Sequence, residues 1–222
     1  MLDPTATAAA TAGEIVYANV LEGLTVIHGK GRVAPRLATD WVRAPDGLSY
    51  TFTLRRGVRF HDGKPFDASV AAASLRRILA PGSRNPQKQW FEKIAGVQAL
   101  GSHQLVIGLH QPDALLPFAL ALPAALIVHP DSAAGNATQP VGTGPFRFGE
   151  WQRGHSVRID RHTRYWGRKP ALRSATFVFL SSSAETENML AEGRLDWLGS
   201  VTKMTGPFME RPDYRMGSRK LE

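Results

Sequence analysis

The chain has 222 residues, of which 43% are hydrophobic and 21% charged, an ordinary balance for a globular protein. Its 27 Lys and Arg residues against 19 Asp and Glu residues give a formal net charge of +8, which can attract anionic partners. The lack of cysteine excludes disulfides and thiolate chemistry, and no apolar run approaches the roughly 20 residues that a membrane-spanning helix needs.

The first 130 residues indicate short helices and strands separated by turns. Residues 49–55 alternate apolar and polar side chains, as a half-buried strand does. Asp67 is predicted to cap a helix that runs to about residue 79 and ends before Pro81-Gly82. The other predicted elements are a helix over residues 14–24, a turn at 29–31 between two extended pieces, a short helix over 90–94, a hairpin of 96–100 with 104–110, and a helix over 112–122.

A glycine-rich bend at residues 140–146, PVGTGPF, leads into the last part of the chain. It is not a phosphate-binding loop, because no lysine follows at the required spacing. The elements predicted after it are strands over 146–148 and 157–159, a strand buried on both faces over 175–180, and a helix over 184–192 with Gly193 at its C-cap.

The polar residues form no pattern typical of an enzyme or a metalloprotein. The seven histidines make no helical i, i+4 pair and no HExxH array, and no Gly-x-Ser-x-Gly sequence occurs. We therefore predict no catalytic residue, no metal ligand and no cofactor.

Sequence motifs follow one another from the first residues to the last predicted helix. They are LDP at 2–4, VLEGL at 20–24, APRLATDW at 34–41, DGLSYTFTLR at 46–55, VRFHDGKPFDA at 58–68, PVGTGPF at 140–146 with YWGRKP at 165–170, and EGRLD at 192–196. In this order they resemble the signature of the bacterial extracellular solute-binding proteins of family 5, the periplasmic proteins that serve peptide and nickel ABC importers.

The resemblance implies a mixed α/β fold in which a periplasmic-binding-protein-like lobe carries an inserted, smaller α/β satellite domain. Residues 1–22 and 131–222 are expected to form the discontinuous part of the large lobe, and residues 23–130 the satellite. It also implies that the chain is the N-terminal half of a longer, exported protein, cut before the domain that closes over the ligand and lacking its leader.

The implied function is the substrate-binding component of an ABC importer, which captures peptides or similar small solutes in the periplasm and delivers them to permease subunits. Nucleic acid is not an expected partner. The residues expected to contact the ligand are Thr11, Gly13, Trp90, Gly142, Thr143 and Gly144.

A nickel complex or another metal chelate is the alternative ligand. Trp90 and the alanine-rich segment after Lys64 resemble the metal-complex branch of the family. However, Ala124 stands where that branch has an arginine, and Glu14 where it has a methionine.

A second class of function rests on the basic stretch between Trp151 and Arg173, which holds seven basic residues and one acid, Asp160. With Tyr165 and Trp166 among the cations, this pattern is typical of a nucleic-acid or anion-binding module, whereas a solvated strand face is the simpler interpretation. Residues 204–220 show no periodicity, so we expect them to be loosely packed or ordered by a second copy, with self-association of the chain.

Overall fold

A two-stranded hairpin, a four-stranded antiparallel sheet and a helix account for most of the regular structure between residues 23 and 130. The structure, a computed structural model, describes residues 1–7 and 14–198. A hairpin joins β1 (Thr25–Ile27) and β2 (Val33–Pro35). The larger sheet consists of β3 (Ala38–Arg43), β4 (Ser49–Leu54), β5 (Ile94–Leu100) and β6 (Gln104–Leu109), in the order β3-β4-β6-β5. Helix α1 (Ala68–Leu79) packs against β5 and β6.

The predictions for β4, for α1 and for the β5–β6 hairpin are confirmed. Strand β4 buries Tyr50, Phe52 and Leu54, because period-two alternation places them on one face. Helix α1 begins where Asp67 Oδ1 accepts a hydrogen bond from the Val70 N–H at 3.0 Å.

Two short helices differ from their predictions. In place of a helix over 90–94, a 3-10 helix spans Lys88–Phe91 and residue 94 already belongs to β5. The helix over 112–122 shrinks to the single turn α2 (Leu116–Ala119). The Thr25 hydroxyl donates to the Pro117 carbonyl at 2.7 Å, and Pro123 opens a separate 3-10 turn, so the helix does not continue.

A second antiparallel sheet lies beyond residue 145. It consists of β7 (Phe146–Gln152), β8 (Ser156–Arg161) and β9 (Ser174–Val178) in that order, and helix α3 (Ser183–Ala191) follows. Gly193 ends α3 with a φ of 66°, as predicted for its C-cap. The prediction that residues 175–180 are buried on both faces is wrong: every second residue of β9 is exposed, because the core covers only one face of this sheet.

The prediction of a helix over residues 14–24 is also wrong. Only residues 14–16 are helical before the chain turns at Ala18, whose φ of 59° lies in the left-handed region. The turn closes where the Ala18 N–H donates to the Leu21 carbonyl at 3.0 Å. It directs the carbonyls of Asn19 and Val20 toward the chain after residue 141, where they accept two hydrogen bonds.

Two hydrophobic clusters follow from this arrangement. The larger is built from residues between Leu24 and Ile127, with Val141 and Trp166 packed against it. The smaller joins the start of the chain to the second sheet. Its buried members are Leu2, Ile15, Val16, Val20, Leu21, Leu126, Phe146, Val157 and Ile159. Within the described residues, no helix has the length and apolar character needed to cross a membrane.

Candidate functional site: a motif junction and an exposed aromatic pair

A buried carboxylate, Glu22, is the meeting point of several sequence motifs. Its side chain is 0% exposed and forms an ion pair with Arg36, Nε to Oε1 2.6 Å. It accepts hydrogen bonds from the Thr143 hydroxyl at 2.9 Å, the Tyr165 hydroxyl at 2.8 Å and the Trp166 indole N–H at 2.9 Å. Side chains separated by up to 144 residues in sequence therefore share one carboxylate.

The surroundings of Glu22 favour the ionised form of its carboxylate. Three partners donate hydrogen bonds to it and the fourth is a cation, so the contacts fit the ionised carboxylate. Burial raises the pKa of Glu22, although Arg36 and the three hydrogen bonds lower it. Burial and the nearby Glu22 charge also raise the pKa of Tyr165, which keeps this hydroxyl a donor.

Two guanidinium groups complete the junction at the Trp166 ring. Arg55 lies 4.4 Å and Arg36 lies 5.7 Å from the ring centroid, both within cation–π range. Arg55 also donates from Nε to the Arg36 carbonyl at 3.1 Å. We call Glu22, Arg36, Thr143, Tyr165 and Trp166 the motif junction; it joins the chain before residue 37 to the chain after residue 142.

The glycine-rich bend packs on backbone. A Cβ on Gly142 would overlap the Val20 carbonyl, and one on Gly144 would overlap the Asn19 carbonyl. The Gly144 N–H donates to the Val20 carbonyl at 3.0 Å, so a backbone hydrogen bond joins the bend to the N-terminal turn. Glycine is required at both positions because the backbone of the N-terminal turn lies too close to leave room for a side chain.

His61 also binds the bend through hydrogen bonds. The His61 backbone N–H donates to the Gly142 carbonyl at 2.8 Å, and the Gly142 N–H donates back to His61 Nδ1 at 3.2 Å. Since Nδ1 accepts, the neutral ring carries its proton on Nε2, which donates to the Gly144 carbonyl at 3.0 Å. Burial lowers the pKa of His61 to about 4. The HDG turn of the VRFHDGKPFDA motif thus binds the bend through His61, whose ring is neutral.

A second histidine, His162, lies against the first. The two rings meet edge to face with centroids 4.9 Å apart, and His162 Nδ1 lies 3.4 Å from the Gly144 carbonyl. Burial lowers the pKa of His162, and the charges of Arg164 and Arg147 lower it further. Both imidazoles are therefore neutral at physiological pH and contact one carbonyl.

The residues predicted to contact a ligand fall into three places. Thr11 and Gly13 lie outside the described residues. Gly142, Thr143 and Gly144 are buried, and their observed contacts are those of the bend and the motif junction. Trp90 lies partly exposed at the surface and contacts Phe118, so among the four described residues no observed contact joins Trp90 to the bend. Their role in ligand binding stays a prediction.

Trp90 belongs to an exposed apolar surface. Its ring, in the 3-10 helix, packs 5.9 Å from the Phe118 ring of α2 and is 38% exposed. Leu115, which precedes α2, is 57% exposed. Phe118 carries no signal in the sequence, because only the spatial contact of two short helices places it beside Trp90.

The loop of residues 17–19 joins this part of the molecule to the start of the chain. The Tyr17 hydroxyl donates to the Ala121 carbonyl at 2.8 Å, and a small pocket beside Glu22 is lined by Tyr17, Ala18 and Arg36 among others. A non-glycine residue with positive φ, here Ala18, is uncommon.

The central role of Glu22 was not predicted from the sequence. Its only signal there is that it is a lone acid within the apolar VLEGL motif.

The aromatic residues on which the nucleic-acid alternative depends are engaged inside the molecule. Tyr165 is buried and donates to Glu22, and Trp166 is covered by Arg55. Neither ring is free to stack on a base. Among the described residues, no group of three or more His, Cys, Asp or Glu side chains is placed to hold a metal ion.

Comparison with known proteins agrees with the motif reading. Residues 32–216 match the family described as "Bacterial extracellular solute-binding proteins, family 5 Middle". The nickel-binding periplasmic protein of Escherichia coli K12 is 33% identical over 187 residues, which are 81% of this chain and 35% of that protein. The glutathione-binding protein GsiB of Salmonella paratyphi A is 30% identical over 188 residues, 82% of this chain and 37% of GsiB.

A solved structure shows the same fold. The binding protein AgaA of A. tumefaciens R10, in complex with agropinic acid, superposes with a TM-score of 0.81 at 29% identity, over 88% of this chain and 40% of that one. The chain thus spans little more than a third of the curated relatives' length. With the family model covering most of its residues, and the motif junction built from the motifs that carry the resemblance, the chain belongs to family 5 of the bacterial extracellular solute-binding proteins.

Proposed function

We propose that this chain is part of the substrate-binding component of an ABC importer, a non-enzymatic protein that captures peptides or similar small solutes in the periplasm. The observation that carries the proposal is the family match over residues 32–216, together with the 30% identity to a glutathione-binding protein, since glutathione is itself a tripeptide. The permease subunits of such an importer are the proposed protein partners.

We further propose the discontinuous domain division, with residues 1–22 and 131–222 in the large lobe and 23–130 in the satellite. The smaller hydrophobic cluster supports it, because it combines Leu2, Ile15 and Val16 with Phe146 and Ile159. The backbone gives the same support: the Leu2 N–H donates to the Ala137 carbonyl at 2.8 Å.

The proposed ligand surface includes the Trp90–Phe118 pair and the predicted set of Thr11, Gly13 and residues 142–144. The partly exposed pair of Trp90 and Phe118 offers apolar area that a small solute can cover. Ligand burial in such a protein requires a second lobe that closes over this surface.

A metal chelate is the second candidate ligand, because the nickel-binding relative shares 33% identity with this chain. Ala124 argues for the peptide class, since it is 1% exposed and presents no cation where the metal-complex branch is expected to have one.

The test is isothermal titration of a full-length binding protein that contains this chain, with di- and tripeptides, glutathione and a nickel–histidine complex. Saturable peptide binding supports the proposal, and binding of the nickel complex alone supports the alternative. Trp90→Ala should weaken binding about tenfold or more, because it removes a large aromatic contact. Trp197→Ala is the matched control, as this tryptophan is 79% exposed. If the protein bound none of these solutes, the result would contradict both candidates.

A further inference from the structure

Six basic side chains gather at one end of the second sheet. They are Arg147, Arg161, Arg164, Arg168, Lys169 and Arg173. All but Arg161, which is half-buried, are exposed. We call these six residues the basic end.

Sheet register and loop contacts bring the basic end together. Strand β7 begins and β8 ends here, since Arg147 pairs with Asp160, and β9 begins beside them because Asp160 pairs with Ser174. The Arg161 N–H donates to the Arg173 carbonyl at 2.8 Å, and Arg161 Nη1 donates to the Pro170 carbonyl at 3.3 Å. The loop of residues 162–173 therefore folds back on the strand ends.

The positive charge of the basic end is not neutralised nearby. Asp160, the acid within this stretch of sequence, is 3.6 Å from Arg158 and is shared with that residue. Within residues 1–7 and 14–198, no ion pair forms on Arg147, Arg164, Arg168, Lys169 or Arg173. Exposed cations without a paired acid attract a partner of opposite charge.

An apolar side chain projects from the same loop. Leu172, next to Arg173, is 63% exposed and lies outside both hydrophobic clusters. An exposed leucine in the same loop as several exposed cations fits the interface of an anionic bilayer, where headgroups take the charge and the acyl boundary takes the apolar side chain. A nucleic acid would instead require exposed rings for stacking, and Tyr165 and Trp166 are held by Glu22.

We propose that the basic end, with Leu172 at its tip, is a docking surface for a membrane rich in anionic phospholipid. The binding is peripheral: Leu172 enters the headgroup region while the surrounding cations contact phosphate groups. It goes beyond solute capture and does not depend on which solute is bound.

The experiment is co-sedimentation of this chain with vesicles of phosphatidylcholine alone and of phosphatidylcholine mixed with phosphatidylglycerol, over a series of salt concentrations. The chain is expected to bind only the mixed vesicles, and more weakly as salt increases. The variant Arg168→Glu/Lys169→Glu/Arg173→Glu should bind at least about tenfold more weakly, because three attractive charges become repulsive.

The control variant is Arg32→Glu/Arg43→Glu/Arg84→Glu. It changes the net charge equally, at exposed residues outside the second sheet and its loop, and should keep most of the binding. Leu172→Ser should reduce vesicle binding but leave retention on heparin unchanged. Circular dichroism of each variant checks that the fold is kept.

Three results would overturn the proposal. The first is no sedimentation of the wild-type chain with mixed vesicles. The second is equal loss of binding in the two triple variants, which would show a net-charge effect. The third is retention on heparin or an oligonucleotide that depends on the basic end when vesicle binding does not, which would assign the surface to a soluble polyanion.

Discussion

Trp166 donates its indole N–H to the carboxylate of Glu22 at 2.9 Å, across 144 residues of sequence. Thr143 and Tyr165 donate to the same carboxylate, so three sequence motifs of this chain, VLEGL, GTGP and YWG, meet at one buried charge. The motifs that identify the family here fasten the start of the chain to its later part. They therefore indicate the fold and do not by themselves indicate which solute is bound.

Removal of the Glu22 carboxylate should destabilise the chain. Glu22→Ala leaves the donors of Thr143, Tyr165 and Trp166, and Arg36, without their acceptor, and we expect the free energy of unfolding to fall by about 3 kcal/mol or more. Glu22→Gln keeps one acceptor oxygen but places an amide N–H against other donors, so about 1–3 kcal/mol should be lost. Urea unfolding measures both, with Glu92→Gln at an exposed acid as the control. Equal stability of Glu22→Gln and Glu92→Gln would show that the junction contributes nothing.

The stability of the chain should fall as the pH drops below neutral. His61 has a folded-state pKa of about 4 against an ordinary value of 6.5, so between these values the unfolded chain binds the proton and the folded chain does not. Its contribution is present above pH 6.5 and is lost as pH falls to 4, by up to about 3 kcal/mol. Urea unfolding at several pH values measures the loss.

The His61 contribution is isolated by difference. Burial also lowers the pKa of His162 and raises that of Glu22, but both groups remain in a His61→Gln variant. This variant should be less stable at neutral pH and lose less stability on acidification. His110→Gln, at an exposed histidine, should keep the wild-type slope. A His61→Gln slope equal to that of wild type would contradict the prediction.

The bend should not tolerate a methyl group. In Gly144→Ala the new Cβ overlaps the Asn19 carbonyl, so the N-terminal turn must move or the Gly144–Val20 hydrogen bond must break. We expect a loss of about 2 kcal/mol or more, by overpacking and loss of that bond. Gly82→Ala, where a Cβ meets no atom within 4 Å, is the control. Thermal denaturation compares the two variants. Similar melting temperatures would contradict the close contact between Gly144 and the Asn19 carbonyl.

The 222-residue chain by itself should bind peptides and metal chelates weakly. Trp90 and Phe118 form an open surface, and a ligand on one open surface remains solvated. Calorimetry with di- and oligopeptides at micromolar concentrations should show no saturable heat. A micromolar dissociation constant for the chain alone would show that this part suffices for binding.

Self-association of the chain is expected through an open sheet edge. Strand β9 pairs with β8 on one side only among the described residues, and Val178 at its end is 38% exposed. Light scattering over a concentration series should show a rising mass, and Thr176→Lys should suppress it by placing a charge on the edge. The tail over residues 204–220, predicted to be loosely packed or ordered by a second copy, lies outside the described residues, and comparison with a chain that ends at residue 203 tests its part. A constant monomer mass would contradict the expectation.

The sequence by itself determined the local elements and the family. Asp67 capped α1 and alternation defined β4, because capping and period-two burial depend on neighbouring residues alone. The same local reasoning failed for residues 14–24 and 112–122, where Ala18 turns and the Pro117 carbonyl is taken by Thr25. Only the tertiary structure revealed that Glu22, His61 and the bend at residues 142–144 meet, and that Phe118 lies beside Trp90. Such contacts join residues far apart in the chain, and they form only when packing brings distant segments together.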